Sequence, residues 1–473
     1  LSIPAWMAPG STIKRWLLVF VLGLLIIVLG IDYLFVDLYR KVNFSGRVSD
    51  FVKVVTLQGI PRGVRGALFL ALGIGAIWLS LRHMNKVIVD IMRSSMSARN
   101  RTNHTVISAA AQHKALLRGP RIVVIGGGTG MSMLLRGLRM HSRNLSVVVT
   151  VADDGGSSGR LRRELHILPP GDFRQCIAAL ADVEPLMADL LQYRFKEGSG
   201  LEGHTFGNLF IAAMADITGN FERAVAETSR VLAVRGRILP STLHDVTLAA
   251  KLRDQSRLQG ESVVAKGQAP IEEVFLIHTD PEGQIGQIEA NPEAVEAIRD
   301  ADIIVVGPGS LYTSIMPNLL VPMIAEAIAE SRAQVKAFVC NVATEPGETD
   351  GYTAVDFVHA IERHVHRQLF DVVITNNNHR AKLPEVWKSQ VVRPGDTSRL
   401  PPELRMIETD VVDAANALHH DPRKLSELLL RLYIDRRRTP DRAAGRRAAA
   451  SRAEAEAEAE AAMAEEEVLA GRA

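Results

Sequence analysis

The sequence predicts an α/β protein with a doubly wound, mostly parallel sheet, preceded by two transmembrane helices. Three observations point there. Short apolar, β-branched runs recur through the middle of the chain, each giving way to glycine and hydroxyl residues. Helical patterns alternate with those runs, the order that builds a parallel sheet with helices on both faces. Ahead of them lie two longer apolar runs, each close to the ~20 residues a spanning helix needs.

Residues 16–31 are unbroken apolar sequence behind Lys14 and Arg15, and the pattern continues to Tyr39 before Arg40 and Lys41. A second run, 66–81, lies between Arg62, Arg65 and Arg82, His83, Lys86. Tyr33, Tyr39 and Trp78 sit near the ends, where interfacial aromatics belong. No small-residue cleavage site follows the first run, which argues against a signal peptide. Residues 1–86 therefore read as a membrane hairpin, with helices at about 14–38 and 63–83. Loop charge barely orients it. The two cysteines, Cys176 and Cys340, lie in apolar settings and suit core thiols in a reducing compartment. The expectation is a multi-pass cell-membrane protein with a cytoplasmic domain. Residues 87–118 are polar and basic and read as a juxtamembrane linker. A net charge of +2 over 473 residues gives no global field for nucleic acid, so none is expected as a partner.

The α/β domain spans 119–435, and it begins with the stretch around which the rest is organised. Residues 122–125 form a strand pattern, followed at once by Gly126, Gly127, Gly128, Thr129 and Gly130 and then a helical stripe of Met131, Leu134, Leu135 and Leu138. Strand, glycine turn and helix start make an anion site, since the first helical N–H groups lack partners and the helix dipole adds positive charge. The dinucleotide fingerprint fails because Met131 stands at its third glycine, and no Walker lysine follows. A nicotinamide dehydrogenase stays a minor alternative, because Asp153 stands about where a ribose-binding acid would.

Residues 146–152 read as the next strand and deliver Asp153, Asp154, Gly155, Gly156, Ser157 and Ser158 to the same sheet edge. A helix start follows at 160–164. In LPPGDFR, Pro-Pro-Gly makes a turn, and Asp172 either caps a helix over 173–180 or binds ligand. GHTFGN presents N–H groups and the Asn208 amide ahead of a helix over 209–217, with His204 read as structural. Residues 272–277 form a strand. Residues 302–306 form a surer one, ending in Gly307, Pro308, Gly309 and Ser310. Strands at 336–340 and 371–375 run into Asn341 and into Asn376, Asn377 and Asn378. Four or five such ends meeting at one crevice exceed what packing requires. The tail, 436–473, is low in complexity, basic and then Ala/Glu-rich, and has no apolar face to bury.

IGGGTG, VADDGGSSGRLRREL, LPPGDFRQCIAALAD, GHTFGN, GRILPST, ADIIVVGPGSLYTSIMPNLLV and NVATEPGETDGYT, in this order across residues 121–378, resemble the gluconeogenesis factor family. That CofD-like family is related to 2-phospho-L-lactate transferase of deazaflavin coenzyme synthesis. One departure is Glu345, where members usually carry Gln. The resemblance implies a Rossmann-like domain binding a nucleotide diphosphate sugar, UDP-N-acetylglucosamine being expected, in support of cell shape and envelope synthesis during gluconeogenic growth. The alternative it implies is transfer of a phospholactyl group from a guanosine diphosphate carrier to a deazaflavin.

Both readings use a diphosphate. Gly127, Gly128, Thr129 and Gly130 would hold one phosphate. Asp153 and Asp154, with Gly155, Gly156 and Ser157 behind them, would bind Mg²⁺ bridging the diphosphate or hydrogen-bond a ribose hydroxyl. Gly309 and Ser310 would approach the other end, with Asn208 and Asn341 fixing orientation. Asp153 would be the general base only if the protein is a transferase. Mg²⁺ is the expected metal, with no covalently bound cofactor. The remaining partners implied are the membrane, further copies of the chain and envelope-synthesis proteins.

Overall fold

The computed structural model describes residues 116–438, apart from 199, 268, 279–285, 380–387 and 415, and three isolated positions nearer the N-terminus. The chain divides into one unit from Leu1 to Lys114 and another from Ala115 to Ala473. The expected hairpin, all of the linker but its last three residues, and the tail beyond 438 lie outside the described residues. Among the described residues no single helix is long and apolar enough to cross a membrane.

The second unit opens with β1 (Ile122–Gly126), α1 (Gly128–Leu138), β2 (Leu145–Val149), α2 (Gly156–Leu165), α3 (Gly171–Leu180), α4 (Pro185–Gln192), α5 (Phe206–Thr218), α6 (Phe221–Val231) and β3 (Arg237–Pro240). A small lobe follows, made of β4 (Val246–Leu252), β5 (Arg257–Gln259), α7 (Glu261–Val264) and β6 (Ile271–His278). The chain then returns through α8 (Pro292–Arg299), β7 (Ile303–Val306), a π-helical turn (Leu311–Ile315), α9 (Met316–Leu319), α10 (Ile324–Glu330), β8 (Val335–Val339), α11 (Ala354–Val365), β9 (Val372–Asn376), β10 (Arg405–Thr409) and α12 (Pro422–Arg438).

Seven strands pair in the order β10-β9-β8-β7-β1-β2-β3, and every pairing is parallel. The sheet is thus wound outward from β1 in one direction and from β7 in the other. The order reverses between β1 and β7, the place where ligands bind in open sheets of this kind. The expected doubly wound, Rossmann-like fold is what the chain adopts. The strand expected at 272–277 forms as β6, but it pairs antiparallel with β4 in a separate three-stranded sheet.

Alternation along the strands explains the two layers. Ile122 and Val124 of β1 pack on one face with α1, α3 and α12, through Leu134, Phe173 and Leu425. Val123 and Ile125 pack on the other with α8, α10 and α11, through Ile298, Ile328 and Phe357. Burying each such Val or Ile contributes on the order of 1.5–3 kcal/mol. Local chemistry sets the helix starts. Asn220 caps α6 by accepting the Arg223 N–H at 2.9 Å. Thr353 and Asp356 form a capping box at α11. Cys176 and Cys340 are free and buried, and burial raises both thiols.

Candidate functional site

Five neighbouring strands, β9, β8, β7, β1 and β2, deliver their carboxyl ends to one edge of the sheet. The corners after β1 and β7 press directly on each other. A side chain added at Gly130 would begin 2.9 Å from the Pro308 carbonyl oxygen. One added at Gly309 would begin 3.2 Å from the Gly127 carbonyl oxygen. The glycines therefore serve close backbone approach, and Gly128 in addition has φ +69°. Asn318, fully buried on α9, clamps this corner by donating to the Gly126 carbonyl at 3.0 Å and the Ser314 carbonyl at 2.8 Å.

The start of α1 has no side-chain cap of its own. Its Gly128 N–H is donated to the Asp172 carboxyl, and a side chain on Gly127 would begin 2.5 Å from Asp172 Oδ2. Asp172 does not cap its own helix. That N-cap is Pro170, and α3 begins at Gly171 rather than 173. The carboxyl instead occupies the anion position at another helix. Burial, and then the charge on Asp153, raise Asp172 to about 7. Thr129 is exposed.

The second loop enters α2 at Gly156, earlier than the expected start at 160, with Gly155 as the extended N-cap. Asp153 Oδ1 accepts the Gly155 N–H at 2.9 Å, and its Oδ2 lies 3.0 Å from where a Gly171 side chain would begin. Burial raises Asp153 as well. Asp154 Oδ1 accepts the Ser262 N–H at 2.8 Å, tying the loop to the small lobe. The two aspartates, adjacent in sequence, therefore point to different neighbours.

Ser157 and Asn208 belong to a buried network. Asn208 donates to Ser157 Oγ at 3.1 Å and accepts from Arg174 Nε at 2.9 Å, while Ser157 Oγ lies 3.0 Å from His204 Nδ1. Arg174 also donates to Gln192. With α5 starting at Phe206, Asn208 is a first-turn residue, only 2 % exposed, and its amide is spent on holding Ser157 and Arg174.

On the opposite side Ser310 hydrogen-bonds Glu345, and Asn341 donates to Glu345 Oε1 at 3.4 Å. Glu348 accepts from Thr313 Oγ1 at 3.3 Å. Burial, then the charges of Glu345 and Glu261, raise Glu348 to about 8. Burial, then Asp153, Asp154 and Asp172, raise Glu261 to about 8. Six carboxyls thus share one field at the sheet edge.

Sequence reasoning singled out the glycine corners and Asp153, Asp154, Gly155, Gly156, Ser157, Asn208, Gly309, Ser310 and Asn341, and all stand at or beneath this edge. It missed Arg174, Glu261, Asn318 and Glu348 as site residues. Glu348 lies within the NVATEPGET stretch and Asn318 within ADIIVVGPGSLYTSIMPNLLV, both already quoted, whereas nothing local marks Glu261. Among the described residues no group of three or more His, Cys, Asp or Glu side chains is placed to hold a metal. Mg²⁺, which takes one or two carboxylates and completes its shell with phosphate and water, would be held by Asp153, with Asp154, whose Oδ1 already accepts from Ser262, nearby.

Comparison with known proteins bears on this edge. Residues 122–412 match the family described as 2-phospho-L-lactate transferase CofD. The gluconeogenesis factor of Bacillus subtilis is 45 % identical over 318 residues, covering 66 % of this chain and 98 % of that protein. A Nostoc sp. protein provisionally named as a gluconeogenesis factor is 43 % identical over 443 residues, 90 % of this chain and 92 % of the other. A crystal structure of a UPF0052 family member from Bacillus halodurans is 43 % identical with a TM-score of 0.60, covering 66 % of this chain and 99 % of that one.

Proposed function

The chain belongs to the 2-phospho-L-lactate transferase CofD family, on the side of the gluconeogenesis factors, and from that premise we propose that its crevice binds a nucleotide diphosphate sugar. UDP-N-acetylglucosamine is the expected ligand. The observation that carries this reading is the pair of corners after β1 and β7, which meet at the switch point of the sheet with the start of α1, capped by no residue of its own but by Asp172, between them. A diphosphate arriving there takes the place of the Asp172 carboxyl at the Gly128 N–H. Asp172 is held close to neutrality already, so its release costs little charge rearrangement. Mg²⁺ held through Asp153, with Asp154 nearby, would offset the negative charge that the ligand brings to an acidic edge.

Binding serves as a signal in this reading. Ligand stabilises one arrangement of the crevice, and the domain, cytoplasmic and tethered by the hairpin of residues 1–86, regulates cell shape and envelope synthesis during gluconeogenic growth. One observation favours a second reading. Asp153 is raised by burial, as a general base for phospholactyl transfer to a deazaflavin would need to be. Calorimetry with UDP-N-acetylglucosamine and GDP, with product analysis, separates them. Saturable binding of the uridine ligand without consumption supports the sensor. Turnover of a guanosine lactyl diphosphate with a deazaflavin acceptor overturns it.

A further inference from the structure

Beside the diphosphate corner lies a group of buried oxygens that the fold leaves without donors. Asn341, 8 % exposed, follows β8 and has spent its Nδ2 on Glu345, while its Oδ1 has no partner. Glu345 Oε2 has none either. Glu348 is 6 % exposed; Thr313 donates to its Oε1 and the Tyr312 N–H also reaches the carboxyl, while its Oε2 has no hydrogen bond. Buried polar atoms are almost always satisfied, so three orphan acceptors on one loop call for an outside donor.

The acceptors belong to the loop after β8, one strand from the Gly307–Ser310 corner, and Ser310 bonds Glu345 directly. Neighbouring strands lie about 4.8 Å apart, roughly the reach from a phosphate to the hydroxyls of the group esterified to it. A cation suits the group poorly. No three acidic or imidazole side chains stand in metal-holding positions among the described residues, and burial raises both Glu345 and Glu348, which disfavours two bare charges there. A carboxyl that keeps its proton can accept and donate, as polyol recognition requires.

We propose that Asn341, Glu345 and Glu348 form the subsite that reads the hydroxyl and amide donors of a sugar esterified to the bound diphosphate. The assignment rests on the nucleotide-sugar reading and adds which residues distinguish the sugar ester from the bare diphosphate. Glu348→Ala removes the unpaired oxygen along with the Thr313 contact, and Asn341→Ala removes another acceptor at a weak 3.4 Å hydrogen bond.

The test is calorimetry on the full chain in detergent, taking the ratio of Kd for UDP to Kd for UDP-N-acetylglucosamine. The wild-type protein should prefer the sugar ester, and each variant should lower the ratio at least about tenfold. A wild-type ratio near one, or variants that weaken both ligands in parallel, would overturn the assignment and leave nucleotide-sugar binding standing. A wild-type chain that binds no uridine or guanosine diphosphate, free or esterified, would remove the functional reading and this subsite with it.

Discussion

The two ends of the parallel sheet handle polar groups in opposite ways. At the amino end a cavity of about 480 Å³ is lined by Arg121, Arg143, Arg237, Glu296 and Asp300 among others. There Arg121 pairs with Asp300 at 3.5 Å and Asp302 at 3.6 Å, and Arg237 donates to Ser146 at 3.3 Å. Of the side chains lining that cavity, only the Nε of Arg143 is a buried polar atom without a partner. The carboxyl end instead gathers six carboxyls into one field, with Arg174 drawn back into the Asn208 network and three acceptors of the β8 loop left unsatisfied. At the first end the Arg121 charge is paired within the fold. At the second, burial holds Asp172, Glu261 and Glu348 toward their neutral forms and leaves acceptors unpaired, a cost that a ligand can offset.

The largest effect should come from separating the two corners at the carboxyl end. Gly130→Ala places a methyl 2.9 Å from the Pro308 carbonyl oxygen. It should cost about 1–3 kcal/mol of stability by forcing backbone apart, and abolish nucleotide-sugar binding, as read by denaturant unfolding and calorimetry. Retained affinity would mean that the corners only pack.

An intermediate effect concerns pH. Asp172 at about 7 and Glu261 and Glu348 at about 8 hold protons in the folded state that the unfolded chain, with ordinary carboxyls, gives up near pH 4. Folding therefore binds protons between those values, so their contribution to stability is full below about 4 and lost as pH rises toward 8. The ligand-free protein should melt at a lower temperature at pH 8.5 than at pH 6, and Glu261→Gln with Glu348→Gln should flatten the slope. A melting temperature that rises over this interval would contradict the acidic field.

The smallest effect belongs to the amino end. Arg121→Ala removes exposed ion pairs worth about 0.2–1 kcal/mol and should leave ligand affinity unchanged. A marked loss of affinity would erase the contrast between the ends.

Periodicity made the fold legible. Residues 122–125 and 302–306 could be read as buried parallel strands because an apolar run ending in glycine has few other uses in an α/β chain, and both strands form the centre of the sheet. The strand at 272–277 was legible too, if less surely, yet its membership was not. Nothing in an apolar run names its partner, and β6 pairs with β4 instead of joining the main sheet. Asp172 shows the same limit at the site. Its place after Pro-Pro-Gly suits a cap, and only the packing of α3 against α1 turns it toward Gly128.

What the sequence determined by itself is therefore whatever depends on near neighbours along the chain: strand, glycine turn and helix start, the interior thiols, and the family motifs in their order. The tertiary structure decided which distant groups share a field. Asp153 accepts from Gly155 and Asp154 from Ser262, while Glu261 joins them in one field from a separate lobe. Backbone geometry is local and is written in residue type, whereas electrostatic energy depends on distance through space, which the order of residues does not fix.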